Sequence, residues 1–149
     1  MQKMPGILQN CKFQQVISFT TASSTVAATH SADVDCSGFG SVMFMAHLGA
    51  TAKASTTSGD PFLTVLVGAT TTAYTTATSL TTTGSTVANT IQIIDIPKIE
   101  KRFAVLTYST TTTCHLAATA ILYNPLTSPT SQTGLTLGAI AGVAGAVTT

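Results

Sequence analysis

The chain contains no tryptophan, only 6% aromatic residues and only 7% charged ones, with six Lys and Arg against five Asp and Glu. Each shortage removes a class of function. Nucleic-acid binders rely on clustered Lys and Arg to displace counterions from phosphates, and six basic residues in 149 are too few. Glycan sites usually stack sugars on aromatic side chains, and three Tyr with no Trp leave little to build one from. Cysteines number three, Cys11, Cys36 and Cys114, separated by 24 and 77 residues. An odd count without short spacing supports neither a disulfide framework nor a zinc site, so free, buried thiols made in a reducing cytoplasm are expected. The N-terminal MQKMPGILQNCKFQQ has no apolar run of signal-peptide length. No stretch supplies the roughly 20 apolar residues that cross a bilayer. The nearest is the Gly/Ala-rich run from Gly134 to Val147, where Gly134, Gly138 and Gly142 fall four apart. It contains Thr136 and lacks flanking positive charge, so a tail that lies on a neighbouring subunit or stays mobile is expected and a membrane partner is not.

What the chain has in quantity is small residues: 31 Thr, 13 Ser and 20 Ala, or 64 of 149 positions. With 44% apolar residues and a mean hydropathy of +0.41, it is too hydrophobic for a disordered chain. Its length suits one compact domain. Proteins that stay apart in solution usually keep net charge away from zero. A net charge of +1 therefore leans toward a chain that packs against neighbours.

The hydrophobic period is two. Val42, Phe44, Ala46 and Leu48 alternate with Met43, Met45 and His47, and Leu116, Ala118, Ala120 and Leu122 oppose Ala117, Thr119, Ile121 and Tyr123. Phe103, Val105 and Thr107 alternate with Ala104, Leu106 and Tyr108. In TIQIIDI, Ile91 and Ile93 take one side, and Ile94 and Ile96 the other. FQQVISFT and PFLTVLVG add two more β-branched runs. These are strands, and where both faces are apolar the strand is central or covers its outer face with a partner. Turn-prone clusters fall at 20–32, 49–60 and 110–113, while 68–89 has room for short edge strands. No apolar i, i+3, i+4 pattern is sustained, so helix is scarce. The expected fold is all-β: one β-sandwich or jelly-roll domain over residues 13–126, an N-terminal arm at 1–12, and a C-terminal tail at 127–149.

The search for chemistry returns little. His115 follows Cys114, but neighbours on a strand point to opposite faces, so they form no nucleophile pair. Asp33 and Asp35 are too few for a calcium cage. Gly38 and Gly40 open no helix and precede no Lys, which rules out a phosphate loop; they suit a bend before the Val42 strand. HExxH, GxSxG and kinase motifs are missing, and no catalytic residue, cofactor or metal is expected. Thr runs starting at Thr70, Thr81 and Thr110 are spaced too unevenly for an ice-binding solenoid. Charge, by contrast, is concentrated: Asp95, Lys98, Glu100, Lys101 and Arg102 make five of the eleven charged residues. Pro97 cannot donate a ladder hydrogen bond and should end the strand from Ile91. The cluster reads as a solvated corner or as an electrostatic protein contact. His47, in line with Met43 and Met45, reads as packed or interfacial.

Two short motifs resemble small structural proteins of tailed bacteriophages. A strand opening of the form D-x-x-G-F/Y-x-S-V is matched by Asp35, Gly38, Phe39, Ser41 and Val42. A corner of the form DI-x-K/R-P-x-KR-F/Y is matched by Asp95, Ile96, Lys101, Arg102 and Phe103, although Pro97 here precedes the first basic residue instead of following it. The resemblance spans roughly residues 30–125. It implies a non-enzymatic decoration, or cement, protein on the outer capsid surface of the virion, made in the host cytoplasm. Such a protein sits as a homodimer or homotrimer and clamps major capsid protein subunits. The expected contact residues are Lys98, Glu100, Lys101, Arg102, Met43, Met45 and His47. A head-fibre base or tail protein is the alternative within the virion, and a glycan-binding β-sandwich the alternative outside it.

Overall fold

The computed structural model describes residues 10–22, 29–49, 63–80, 89–108 and 114–126. Among the described residues nine strands form two antiparallel sheets, and together they define a β-sandwich. The strands are β1 (Lys12–Ala22), β2 (Thr29–His30), β3 (Val34–Asp35), β4 (Phe39–Leu48), β5 (Leu63–Thr70), β6 (Ala73–Leu80), β7 (Thr90–Ile96), β8 (Phe103–Tyr108) and β9 (Cys114–Pro125). One sheet has the order β1-β9-β4-β7. The other runs β2-β8-β5-β6, with β3 also paired to β8. Along the chain every step changes sheet except β2 to β3 and the β5–β6 hairpin.

The period-two pattern sets the inner layer. Val42, Phe44, Ala46 and Leu48 of β4 and Leu116, Ala118, Ala120 and Leu122 of β9 are buried. They pack in one cluster with Leu63 and Val65 of β5 and Ala104, Leu106 and Tyr108 of β8. β8 is buried on both faces, Ala104 through Tyr108, as its evenly apolar sequence requires. In β1 the pairing slips near Gln15–Ile17 and again before Thr20. Val16 and Ile17, adjacent in sequence, are consequently both buried, as an inserted residue in a bulged strand allows.

Three expectations need amendment. Thr20 to Ala22 continue β1 and Thr29 with His30 form β2, so the turn expected across 20–32 is interrupted by strand at both ends. The edge strand expected within 68–89 runs a full eight residues as β6. Lys12, assigned to the arm, already pairs with Leu122. The rest of the arm to residue 9, the tail at 127–149 and the turn at 110–113 lie outside the described residues. Pro97 follows directly after β7, which ends at Ile96.

Threonine serves these sheets in two ways. Branching at Cβ fits the pleat, and the hydroxyls bond across to the paired strand: Thr75 Oγ1 donates to the Val67 carbonyl at 3.3 Å, and Thr107 Oγ1 to the Thr64 carbonyl at 3.1 Å. Gly68 sits where a Cβ would run into the Ala73 and Thr70 carbonyls, so the tight β5–β6 hairpin excludes a side chain there.

Sidedness makes a sharp test in β7, where two isoleucines are neighbours. Ile94 is 7% exposed and Ile93 50%. Ile94→Ala should cost about 2–5 kcal/mol by removing buried volume. Ile93→Ala should stay under about 1 kcal/mol. Urea denaturation of both variants reads the difference, and a larger loss at Ile93 than at Ile94 would mean the strand is turned the other way.

Candidate interaction surface

The two motifs, far apart in the sequence, fold onto each other. β3 pairs with β8 through Asp35 opposite Phe103. The Arg102 guanidinium grips the Asp35 carboxylate with two nitrogens: Nη2 donates to Oδ2 at 2.9 Å, and Nε to Oδ1 at 3.2 Å. It also lies 4.9 Å from the centre of the Phe103 ring, within cation–π range. The Ser37 amide donates to Asp35 Oδ1 at 3.0 Å, and the Cys36 amide to the Arg102 carbonyl at 2.7 Å. Gly38 then turns the chain at φ +84°, a conformation glycine adopts without a Cβ penalty, and its carbonyl accepts from the Leu126 amide at 2.8 Å.

Ser41 is the buried knot of this corner. Its hydroxyl donates to the Pro97 carbonyl at 2.8 Å and accepts from Asn124 Nδ2 at 2.7 Å. One side chain thus ties β4, the segment after β7 and the end of β9. Asn124 reaches it from a left-handed backbone, φ 53°, which Asn tolerates. The Ile99 amide donates to the Gly40 carbonyl at 2.8 Å, and Phe39, Ile96 and Ile99 pack against the core. Every position in the first motif therefore has an architectural task.

The candidate contact residues fall into two groups. Lys98 and Glu100 pair with each other at 2.9 Å and are widely exposed, as is Lys101. Arg102 is different, because it pairs outside the corner segment, with Asp35 of β3. Sequence reasoning missed that partner because it sits 67 residues away. Met43, Met45 and His47 lie on the outer face of the β1-β9-β4-β7 sheet, with both Met half-buried and His47 exposed.

That face is more apolar than the candidates alone suggested. In register, Phe13, Ile121 and Met43 line up with Asp95, and Gln15, Thr119 and Met45 line up with Ile93. Ala117 and His47 face Ile91 in the next row. Ile91 and Ile93 are 57% and 50% exposed. Phe19 of β1 is 73% exposed and stacks on His115 at 5.5 Å. Asp95 marks the margin toward the charged corner, where it accepts the Tyr123 hydroxyl at 2.6 Å across β4. The signal for Ile91 and Ile93 was present in TIQIIDI, whose two sides are both apolar.

Other residues weighed for chemistry have settled partners. Asp33 accepts the Tyr74 hydroxyl at 2.6 Å, while Asp35 faces Arg102, so the two carboxylates serve separate contacts. Among the described residues no group of three or more His, Cys, Asp or Glu could hold a metal. Cys36 is buried, and that burial, with the Asp35 charge adding to it, pushes its thiol up to about 12. Cys11 is half-buried, and burial raises its thiol too.

No protein-family model matches the chain, and no curated protein matches it. Among solved structures it is similar, at 14% identity and a TM-score of 0.42, to a chain from "Bacillus endospore appendages form a novel family of disulfide-linked pili", over 78% of this chain and 90% of that one. A likeness at that score carries no argument about what this chain does.

Two predictions test the corner. The Arg102 guanidinium beside Asp35 holds its carboxyl well below the usual carboxylate range. A depressed folded-state pKa contributes stability that is present above the unfolded value of about 3.9 and lost as pH falls through the folded one. Arg102→Ala should therefore melt below wild type at neutral pH, with the gap closing as the solution is acidified below about pH 4. The gap should also shrink in about 1 M salt, since the pair is solvent-exposed. A gap constant in both pH and salt would remove the ion pair from the account. Cys36, as a buried thiol of raised pKa, should react with iodoacetamide at pH 8 only as fast as the protein unfolds. Peptide mass mapping separates it from the other two cysteines, and rapid native labelling would contradict its burial.

Proposed function

We propose that this chain is a non-enzymatic structural protein of a virion, a decoration protein that binds the outside of a tailed-bacteriophage head and stabilises contacts between major capsid subunits. What supports the reading most is the meeting of the two motifs. Asp35, Gly38 and Ser41 on one side and Arg102 and Phe103 on the other are parts of one corner, so they count as a single three-dimensional signature. The alternation between sheets around one β5–β6 hairpin supports reading the sandwich as a jelly roll, an architecture found in viral capsid and lectin domains. The surface also suits association. Charge is sparse, one sheet face is rich in apolar side chains, and the exposed Lys101 and the exposed Lys98–Glu100 pair stand together at the sheet's end.

The mechanism is mass action. A protein that binds the assembled shell and not its separated subunits stabilises the shell by RT ln(1 + [L]/Kd). Many copies bound to one lattice reinforce each other when each engages more than one subunit. On this reading the corner residues Lys98, Glu100 and Lys101 fix register against the capsid by charge, and Arg102 holds the corner in shape.

The experiment is a melt of purified shells with and without this chain. Saturating protein should raise the shell's melting temperature by several degrees, and Lys98→Glu with Lys101→Glu should weaken binding at least tenfold at low salt. Identical melting of bare and decorated shells would end the proposal. A clean positive on a glycan array, with no shell binding, would favour a lectin instead.

A further inference from the structure

We infer that the outer face of the β1-β9-β4-β7 sheet is where two copies of this chain pair, face to face about a twofold axis. The inference rests on the reading above and deepens it by assigning one surface to self-association, which leaves the charged corner for the capsid. Three features of the face select a second copy as its occupant.

The first is area. With strands spaced about 4.8 Å apart and about 3.3 Å of rise per residue, four strands over the length of His115–Tyr123 present about 600 Å² even before side chains roughen the surface. Two such faces together cover about 1,200 Å², the lower bound of a stable specific interface. The second is composition. Phe13, Ile121, Met43, Met45, Ile91 and Ile93 occupy neighbouring register positions. Single scattered apolar residues are ordinary on a surface, whereas these six adjoin one another, with Gln15, Thr119 and His47 set among them, and adjoining apolar side chains mark a contact site.

The third is charge. A twofold interface brings the same patch against itself, so a face carrying several like charges would repel its own copy. Across the rows from Met43 to His47, Asp95 is the one formally charged residue, and its carboxylate is engaged at the margin by the Tyr123 hydroxyl. The charged corner next to it would not satisfy this condition as well, because the exposed Lys101 would meet its equivalent. The face is thus rich in apolar side chains, self-compatible and large enough.

Sedimentation equilibrium of the full chain between about 1 and 100 μM tests the pairing. The expected mass at high concentration is twice the 15.2 kDa of one chain. Ile93→Glu and Met45→Glu each enter the interface twice and should weaken dimerisation at least a hundredfold, with unchanged circular dichroism. Lys101→Glu, at the corner, should leave it at the wild-type value. In the unmutated chain, peroxide oxidation of Met43 and Met45, read by peptide mass, should slow at least fivefold as concentration rises through the dimerisation range. A chain that stays monomeric at about 100 μM, folded variants that dimerise like wild type, or methionine oxidation independent of concentration would each overturn the pairing. Shell melting keeps the two readings apart. A monomer that still protects shells removes the pairing alone, and a dimer that leaves shells unprotected removes the decoration role alone.

Discussion

The structure depends on one strand being hydrogen-bonded along both of its edges. β4 pairs with β9 from Phe39 to Leu48 and with β7 from Val42 to Leu48. A strand held on both sides cannot slip by one residue without turning every side chain to the wrong face. That fixes Val42, Phe44, Ala46 and Leu48 against the second sheet, and it fixes Met43, Met45 and His47 on the outside. The same ladder positions β7 and β9, so it orders the outer rows that run from Phe13 to Asp95. Core and interaction face are two sides of a single register.

The ends of that ladder are closed by a polar corner. Ser41, buried at the start of β4, satisfies both its donor and its acceptor capacity through Pro97 and Asn124, as a buried hydroxyl must. Asp35 and Arg102 hold the adjoining turn against β8. In a chain with so few charges, this placement matters. Among the described residues both ion pairs, Asp35–Arg102 and Lys98–Glu100, stand at this one corner. One is used inside the fold and the other faces solvent. Elsewhere hydroxyl groups supply solubility, so the surface is polar without long-range repulsion between copies.

That combination connects composition to assembly. Threonine and serine allow the edge and outer strands to be wet without being charged, and a molecule of net charge +1 approaches its own copy and its neighbours at little electrostatic cost. The β1-β9-β4-β7 face then differs from the hydroxyl-rich β5–β6 hairpin in being dominated by Met, Ile and Phe. The molecule is therefore two-sided: Thr, Ser and Ala on the β6 edge, apolar side chains on the other sheet.

Sequence by itself determined the class of fold, because alternation at period two is a local property that burial of one face imposes on each strand. It also located the end of β7 at Pro97, the bend at Gly38 and the corner that gathers the charge. Tertiary structure alone decided which side of TIQIIDI faces inward. With isoleucine on both sides the pattern is nearly symmetric, and it is the register Gln92 opposite Ala46 that turns Gln92 and Ile94 in and leaves Ile91 and Ile93 out. It alone decided that Arg102 answers Asp35, since a contact across 67 residues leaves no periodic trace. The bulge that buries both Val16 and Ile17 was likewise invisible, because the extra residue is defined by its partner strand and not by its own neighbours. Local alternation writes the strands into the sequence, while register, which sets every face and every long-range pair, exists only between strands.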